Sequence, residues 1–170
     1  MLLTAFFGLF ILIGSSCVTN RNNPHLNDLT PPEMIWVITN HGTGQSTRMV
    51  GNKEFEVERN VKYTVFFCPK DDGGLKEITK CSTSGKVCQC GETGQVSGPS
   101  LCVLETISLE LDEQGRALTK YCTNFSDLML QGQCHGDDCT VYQYTTLNVT
   151  AKNHSDIVAN GSLSLIFRIE

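Results

Sequence analysis

Nine cysteines among 170 residues are the side chains of this chain best placed to do chemistry. A thiolate can attack a substrate or hold a metal, and two thiols can be oxidised to a disulfide; the compartment decides between these fates. Cys88-Gln-Cys90 and Cys134-His-Gly-Asp-Asp-Cys139 come nearest to a zinc pattern, but the first gap is tighter than the usual spacing of zinc ligands. His25, His41, His135 and His154 stand in polar or turn-like surroundings. Asp71-Asp72 and Asp137-Asp138 are carboxylate pairs in Gly-containing stretches, where solvated turn residues far outnumber catalytic ones. No nucleophile-elbow, zincin, Walker or dinucleotide motif occurs. The residues argue for a protein that is not an enzyme, with no cofactor, no metal and no small-molecule substrate. With 13 basic against 18 acidic residues and no Lys/Arg run, nucleic acid is not an expected partner either.

The start of the chain supplies the compartment. Met1 to Ile13 (MLLTAFFGLFILI) is apolar and uncharged, and Gly14-Ser15-Ser16-Cys17 offers the small residues that a signal peptidase accepts. The run is too short to span a bilayer, which takes about 20 apolar residues. Residues 1–17 therefore read as a signal peptide, and the mature chain is expected to begin near Val18 with no transmembrane segment. Cleavage after Cys17 leaves eight cysteines, Cys68, Cys81, Cys88, Cys90, Cys102, Cys122, Cys134 and Cys139; cleavage after Ser16 leaves an odd ninth. An even set in an oxidising compartment favours disulfides. Four N-x-[ST] sequons, at Asn124, Asn148, Asn153 and Asn160, point the same way, to a glycosylated protein of the secretory pathway.

The elements that must position these residues are short and β-rich. Residues 18–33 form a polar, Asn-rich lead expected to be flexible, because it has too little apolar surface to order itself. Residues 34–170 form one domain. Met34 to Thr39 is a β-branched run closed by the turn His41-Gly42-Thr43-Gly44, and Trp36 at its middle is expected in the core rather than on a binding platform. Val61 to Phe67 is a strand, with Lys53 to Glu58 beside it. Residues 69–100 carry glycine, lysine, serine and three cysteines, and are expected to be loop held by crosslinks. Leu101 to Asp112 returns to strand, with Val103, Ile107, Leu109 and Leu111 on one face, and Ala117 to Tyr121 follows. Phe125 to Leu130 reads as one helical turn capped by Ser126 or Asp127. In Val141 to Thr150, alternation turns Val141, Thr145, Leu147 and Val149 inward and Asn148 outward; in Ser162 to Glu170, Leu163, Leu165, Phe167 and Ile169 point inward. The expected class is all-β: an antiparallel, immunoglobulin-like β-sandwich with a disulfide-stapled loop and short-helix insertion.

Several of these motifs, in this order, resemble gammaretroviral envelope surface subunits. Ile35-Trp36-Val37-Ile38-Thr39-Asn40 is similar to their first-strand motif, and Asn23-Pro24-His25 to their N-terminal Pro-His element. Phe67-Cys68-Pro69, Cys81 and Cys88-Gln-Cys90-Gly-Glu-Thr-Gly94 resemble the cysteine cluster of their receptor-binding domain. Cys134 to Cys139 looks like its small cysteine loop, and Gly161-Ser-Leu163-Ser-Leu165 like its Gly-Leu strand. The chain departs from the family in its shortness, in Leu26 after His25, and in lacking the Pro-rich hinge, C-x-x-C, cleavage site, fusion peptide and anchor.

The resemblance implies a receptor-binding domain, from a truncated or endogenous envelope, found in secreted form or on a virion or cell surface. Its partner would be a cell-surface membrane protein, a multipass transporter, bound for entry or, by a soluble form, for receptor interference. It further implies pairing of Cys68 with Cys88, Cys81 with Cys90 and Cys134 with Cys139, leaving Cys102 for Cys122. His25 takes the family's fusion-trigger position, and Lys86, Gln89, Glu92 and Gln95 become candidate receptor contacts. Two other readings fit the same short strands: a secreted lipocalin-like barrel that sequesters a small ligand, and an immunoglobulin-like adhesion domain. The latter wants Trp36 between paired cysteines, where it does not stand.

Overall fold

The computed structural model describes residues 20–90, 92–130 and 139–169. The leader, Cys134, His135 and Asp137-Asp138 lie outside them. In chain order the strands are β1 (Arg21–Asn22), β2 (Ile35–Asn40), β3 (Ser46–Val50) and β4 (Lys53–Glu56). They continue with β5 (Lys62–Phe67), β6 (Lys70–Cys90), β7 (Thr93–Ser97) and β8 (Glu105–Ser108). The last four are β9 (Ala117–Lys120), β10 (Thr123–Met129), β11 (Cys139–Asn153) and β12 (Val158–Ile169). The described residues contain no helix, so the all-β class holds.

Two sheets share one core. The larger runs β1-β9-β6-β11-β12-β4, with β7 and β8 also on β6; the smaller runs β10-β5-β2-β3. All pairs are antiparallel except β12 with β4, which is parallel and departs from the expected all-antiparallel arrangement. The inward residues of β11 and β12 fall where alternation put them: Val141, Thr145, Leu147, Val149, Leu163, Leu165 and Phe167 are all buried. Leu147, Val149, Leu163, Leu165 and Phe167 share a core with Trp36, Ile38, Tyr63, Val65 and Phe67 of the smaller sheet. Trp36 is fully buried, its ring 5.0 Å from that of Phe67 and its Nε1 donating to the Gly51 carbonyl at 3.0 Å. The expected core role of Trp36 is met.

The segment expected to be a stapled loop is instead mostly strand. Lys70–Cys90 is continuous, 21 residues long, and pairs with β11 on one side and with β9, β8 and β7 along the other. Its polar composition says little, because pairing on both edges supplies the backbone bonds that its own side chains do not encourage. Gly85 sits within it because a Cβ there would collide with the Tyr144 ring of the neighbouring strand. The helical turn expected at Phe125 to Leu130 is likewise replaced by β10, which pairs with β5 through a bulge between Asn124 and Ser126. That bulge seats Phe125 6.2 Å from Trp36, and packing outweighs the capping signal. Of the expected face Val103, Ile107, Leu109 and Leu111, only Leu109 is buried; Val103 and Leu111 are exposed.

The crosslinks also differ from those implied by the resemblance. Cys68 pairs with Cys122, Cys81 with Cys102 and Cys90 with Cys139. Cys88 is also disulfide-bonded. Strand geometry forbids the implied Cys81–Cys90 bond: nine residues of extended chain separate the two by about 30 Å, far beyond the reach of a disulfide. Cys90 lies directly across the ladder from Cys139, with Cα atoms 4.2 Å apart, which rules out Cys134–Cys139. Thr123 pairs with Phe67, which brings the next residues, Cys122 and Cys68, together at 4.1 Å.

The lead is docked rather than free over its described part, residues 20–33. The Thr119 amide donates to Asn20 O, the His25 amide to Gly73 O, and Glu33 and Lys70 exchange backbone bonds. Leu26 and Leu29 stay exposed and Pro32 is buried, so backbone pairing along the lead and burial at its end hold this segment.

Candidate functional site

β7 and β8 are two stretches of one edge chain laid against β6. Ser97 stands opposite Lys86 and Glu105 opposite Lys80, eight steps along the edge chain against six along β6. One extra residue is absorbed at Gly98-Pro99, where proline has no N–H to give the ladder, and the other between Ser100 and Glu105. The chain rejoins β6 briefly at Ser100, whose amide donates to Ser84 O at 3.0 Å while its Oγ accepts from the Ser84 amide at 3.1 Å. Cys102 is then bonded to Cys81. Anchored at both points, the segment holds Leu101, Val103 and Leu104 out at 92%, 80% and 70% exposure.

The candidate contact residues lie farther along the same edge. Lys86 and Gln89 are on β6, Gln95 is on β7, and Glu92 is in the connection between them. The register brings them into one hairpin, with Gln95 opposite Cys88 and Gly94 opposite Gln89. Alternation divides them between two faces: Gln89 on one, Lys86 and Gln95 on the other. They do not form a single patch, and Lys86, Gln89 and Gln95 occupy strand, with Glu92 alone in the connecting turn. The sequence reads Val103 as part of an inward strand face, and the structure instead exposes it together with Leu101 and Leu104. The Gly98-Pro99 break before them was the available signal.

The four sequons divide. Asn124, Asn148 and Asn160 are exposed. Asn153 is completely buried, so its Nδ2 cannot carry a glycan in this fold. That amide donates to Thr30 O at 3.1 Å and to Asp28 O and Asp71 Oδ2 at 3.4 Å, while Oδ1 accepts from the Ser155 and Ile157 amides. Asn153 closes the β11–β12 turn and ties it to the lead. His25 stands beside this junction, its carbonyl accepting from Ser155 Oγ at 2.9 Å.

The strongest electrostatic shifts gather at this end. Salt bridges from Lys76 and Lys152 hold the Asp156 carboxyl down at about 2. Burial pushes the Asp71 carboxyl up; its Oδ1 has no partner, so Asp71 is not the solvated turn residue expected of it. Burial, then the nearby Lys76 charge, pushes His154 below the usual histidine value, and its Nε2 is buried without a partner. The unfolded chain takes up a proton near 6.5 that folded His154 resists, so its stabilising contribution is present at neutral pH and is lost as pH falls. Asp156 acts in the same sense from 3.8 down toward 2, whereas Asp71 acts in the opposite sense. Melting temperatures measured from about pH 7 to about pH 5 should fall in the wild type and fall less in His154→Leu.

Among the described residues no group of three or more His, Cys, Asp or Glu side chains could hold a metal ion, and no helix is long and apolar enough to cross a membrane. No protein-family model matches the chain, and no curated protein matches its sequence.

Proposed function

We propose that this protein is a secreted recognition domain that binds a membrane protein on a cell surface without catalysis. Its architecture is read as an immunoglobulin-like sandwich. The observation that carries the proposal is the apolar segment around Cys102: large side chains turned to solvent on a backbone that a disulfide and a Ser84–Ser100 bond pair hold still. Exposed apolar surface of this kind marks a binding site more often than it marks accident. Because the segment is already ordered, a partner that covers it does not have to fix a mobile loop. The motif resemblance to gammaretroviral surface subunits supplies the class of partner, a multipass transporter, engaged for entry or blocked by a soluble form. The lipocalin-like alternative has less to stand on, since Trp36, Tyr63, Phe67, Leu75 and Leu147 fill the space between the sheets.

Soluble residues 18–170 should bind cells carrying one particular transporter and not the corresponding knockout. Leu101→Ser with Val103→Ser should weaken that binding on the order of a hundredfold, from about 1.5 kcal/mol or more of apolar burial at each side chain. His25→Ala should leave binding unchanged. Flow cytometry over a receptor-knockout panel measures all three; equal binding to every cell type, or undiminished binding by the double variant, contradicts the proposal.

A further inference from the structure

The sequons at Asn148 and Asn160 face each other in register. Across β11–β12, Asn148 pairs with Ser162 and Thr150 with Asn160, so the hydroxyl residue of each sequon lies opposite the asparagine of the other. Both asparagines point to the outer face of the larger sheet and are exposed. Diagonal neighbours of this kind are about 7–8 Å apart, and their Cβ atoms somewhat closer.

Together they line a shallow groove of about 290 Å³ with Thr79, Cys81, Thr150 and Leu104. The floor is the β6–β11 ladder, in which Cys81 pairs with Asn148 and Thr79 with Thr150. One wall is the edge segment that the Cys81–Cys102 bond draws over this face. Leu104, at 70% exposure, is the large apolar side chain on that wall.

We propose that this groove is the seat of the chain's own N-linked glycans, and that the first sugars at Asn148 and Asn160 pack over Leu104 and the Cys81–Cys102 bond. Hydroxyl-lined walls with one apolar side chain suit a pyranose, which offers hydroxyls at its rim and C–H groups on its faces. In the covalent step the side-chain amide nitrogen bonds to C1 of an oligosaccharide carried on a polyprenyl diphosphate. The C1–O bond to the diphosphate breaks, the polyprenyl diphosphate leaves, and the amide gives up one proton. The glycans would withdraw Leu104 from contact and leave Leu101 and Val103 as the open part of the segment. The inference rests on the secretory reading above, although not on its partner.

The test uses the full chain secreted from mammalian cells. Glycopeptide mass spectrometry should find Asn148 and Asn160 occupied and Asn153 bare. Trimming the folded protein to a single sugar per site should leave apolar-dye fluorescence unchanged. Removing the glycans completely should raise it several-fold, and Leu104→Ser should abolish that rise. Secreted protein bare at both sites, or complete removal without a rise, overturns the inference while sparing the secretory reading. A full rise on trimming to one sugar overturns the packing of the first sugar on Leu104. A chain retained in the cytosol with its leader intact overturns both readings.

Discussion

Asn153→Ala should lower the stability of the mature chain by about 3 kcal/mol and free the N-terminal lead to proteases. The side chain has no exposure, and its amide satisfies the Thr30 and Asp28 carbonyls, one Asp71 oxygen and two turn amides at once. Alanine removes all of these and leaves buried partners unpaired, and an orphaned buried group costs about 1–3 kcal/mol. Asp71 already carries one unpartnered oxygen, so losing Asn153 leaves it more exposed to like-charge repulsion from Asp28. Asn153→Asp should do no better, since it replaces the donor that Asp71 uses with a second carboxylate. Denaturant unfolding gives the energy, and limited proteolysis at residues 20–33 reports the lead. An Asn153→Ala chain of wild-type stability would mean that the lead is held by other contacts.

Trp36→Ala should cost about 3–5 kcal/mol, a large share of the roughly 5–15 kcal/mol that keeps a domain folded. Trp36 heads the fully buried side chains and packs against Phe67 from β5 and Phe125 from β10, so its loss opens the smaller sheet. The Gly51 carbonyl also loses its indole donor. Secretion into the medium should be abolished, whereas Trp36→Phe, which keeps an aromatic ring in the core, should still be secreted. Normal secretion of Trp36→Ala with lost cell binding would place this residue in an interface.

What the sequence made legible was local alternation. β11 and β12 carry apolar residues at period two while β2 and β5 read as short apolar runs, and the faces assigned to Leu147, Asn148, Leu163 and Leu165 are those the structure has. β6 was hidden because its order comes from its neighbours. Thr79, Thr83 and Lys86 sit in a strand through pairing with β11, β8 and β7, a relation between distant segments that composition does not record. The cysteine partners were hidden for the same reason. Cys90 meets Cys139 only through the long β6–β11 register, and Cys81 meets Cys102 only where the edge chain bulges. Asn153 presented two meanings at once. As a triplet it reads as a glycan acceptor, while its place four residues before Ile157, with Asp156 in a left-handed conformation at φ 62°, makes it the hinge of a turn.

If the segment around Cys102 touches the partner, it should crosslink to that partner on living cells. A photoreactive phenylalanine in place of Val103, with a second chain carrying it in place of the exposed Leu26 at the lead, would be illuminated on cells that bind the protein. A crosslink is expected from position 103 to one multipass membrane protein, suppressed by excess unlabelled protein and absent from position 26. A specific crosslink from position 26 alone, or none from position 103 while binding persists, would contradict it.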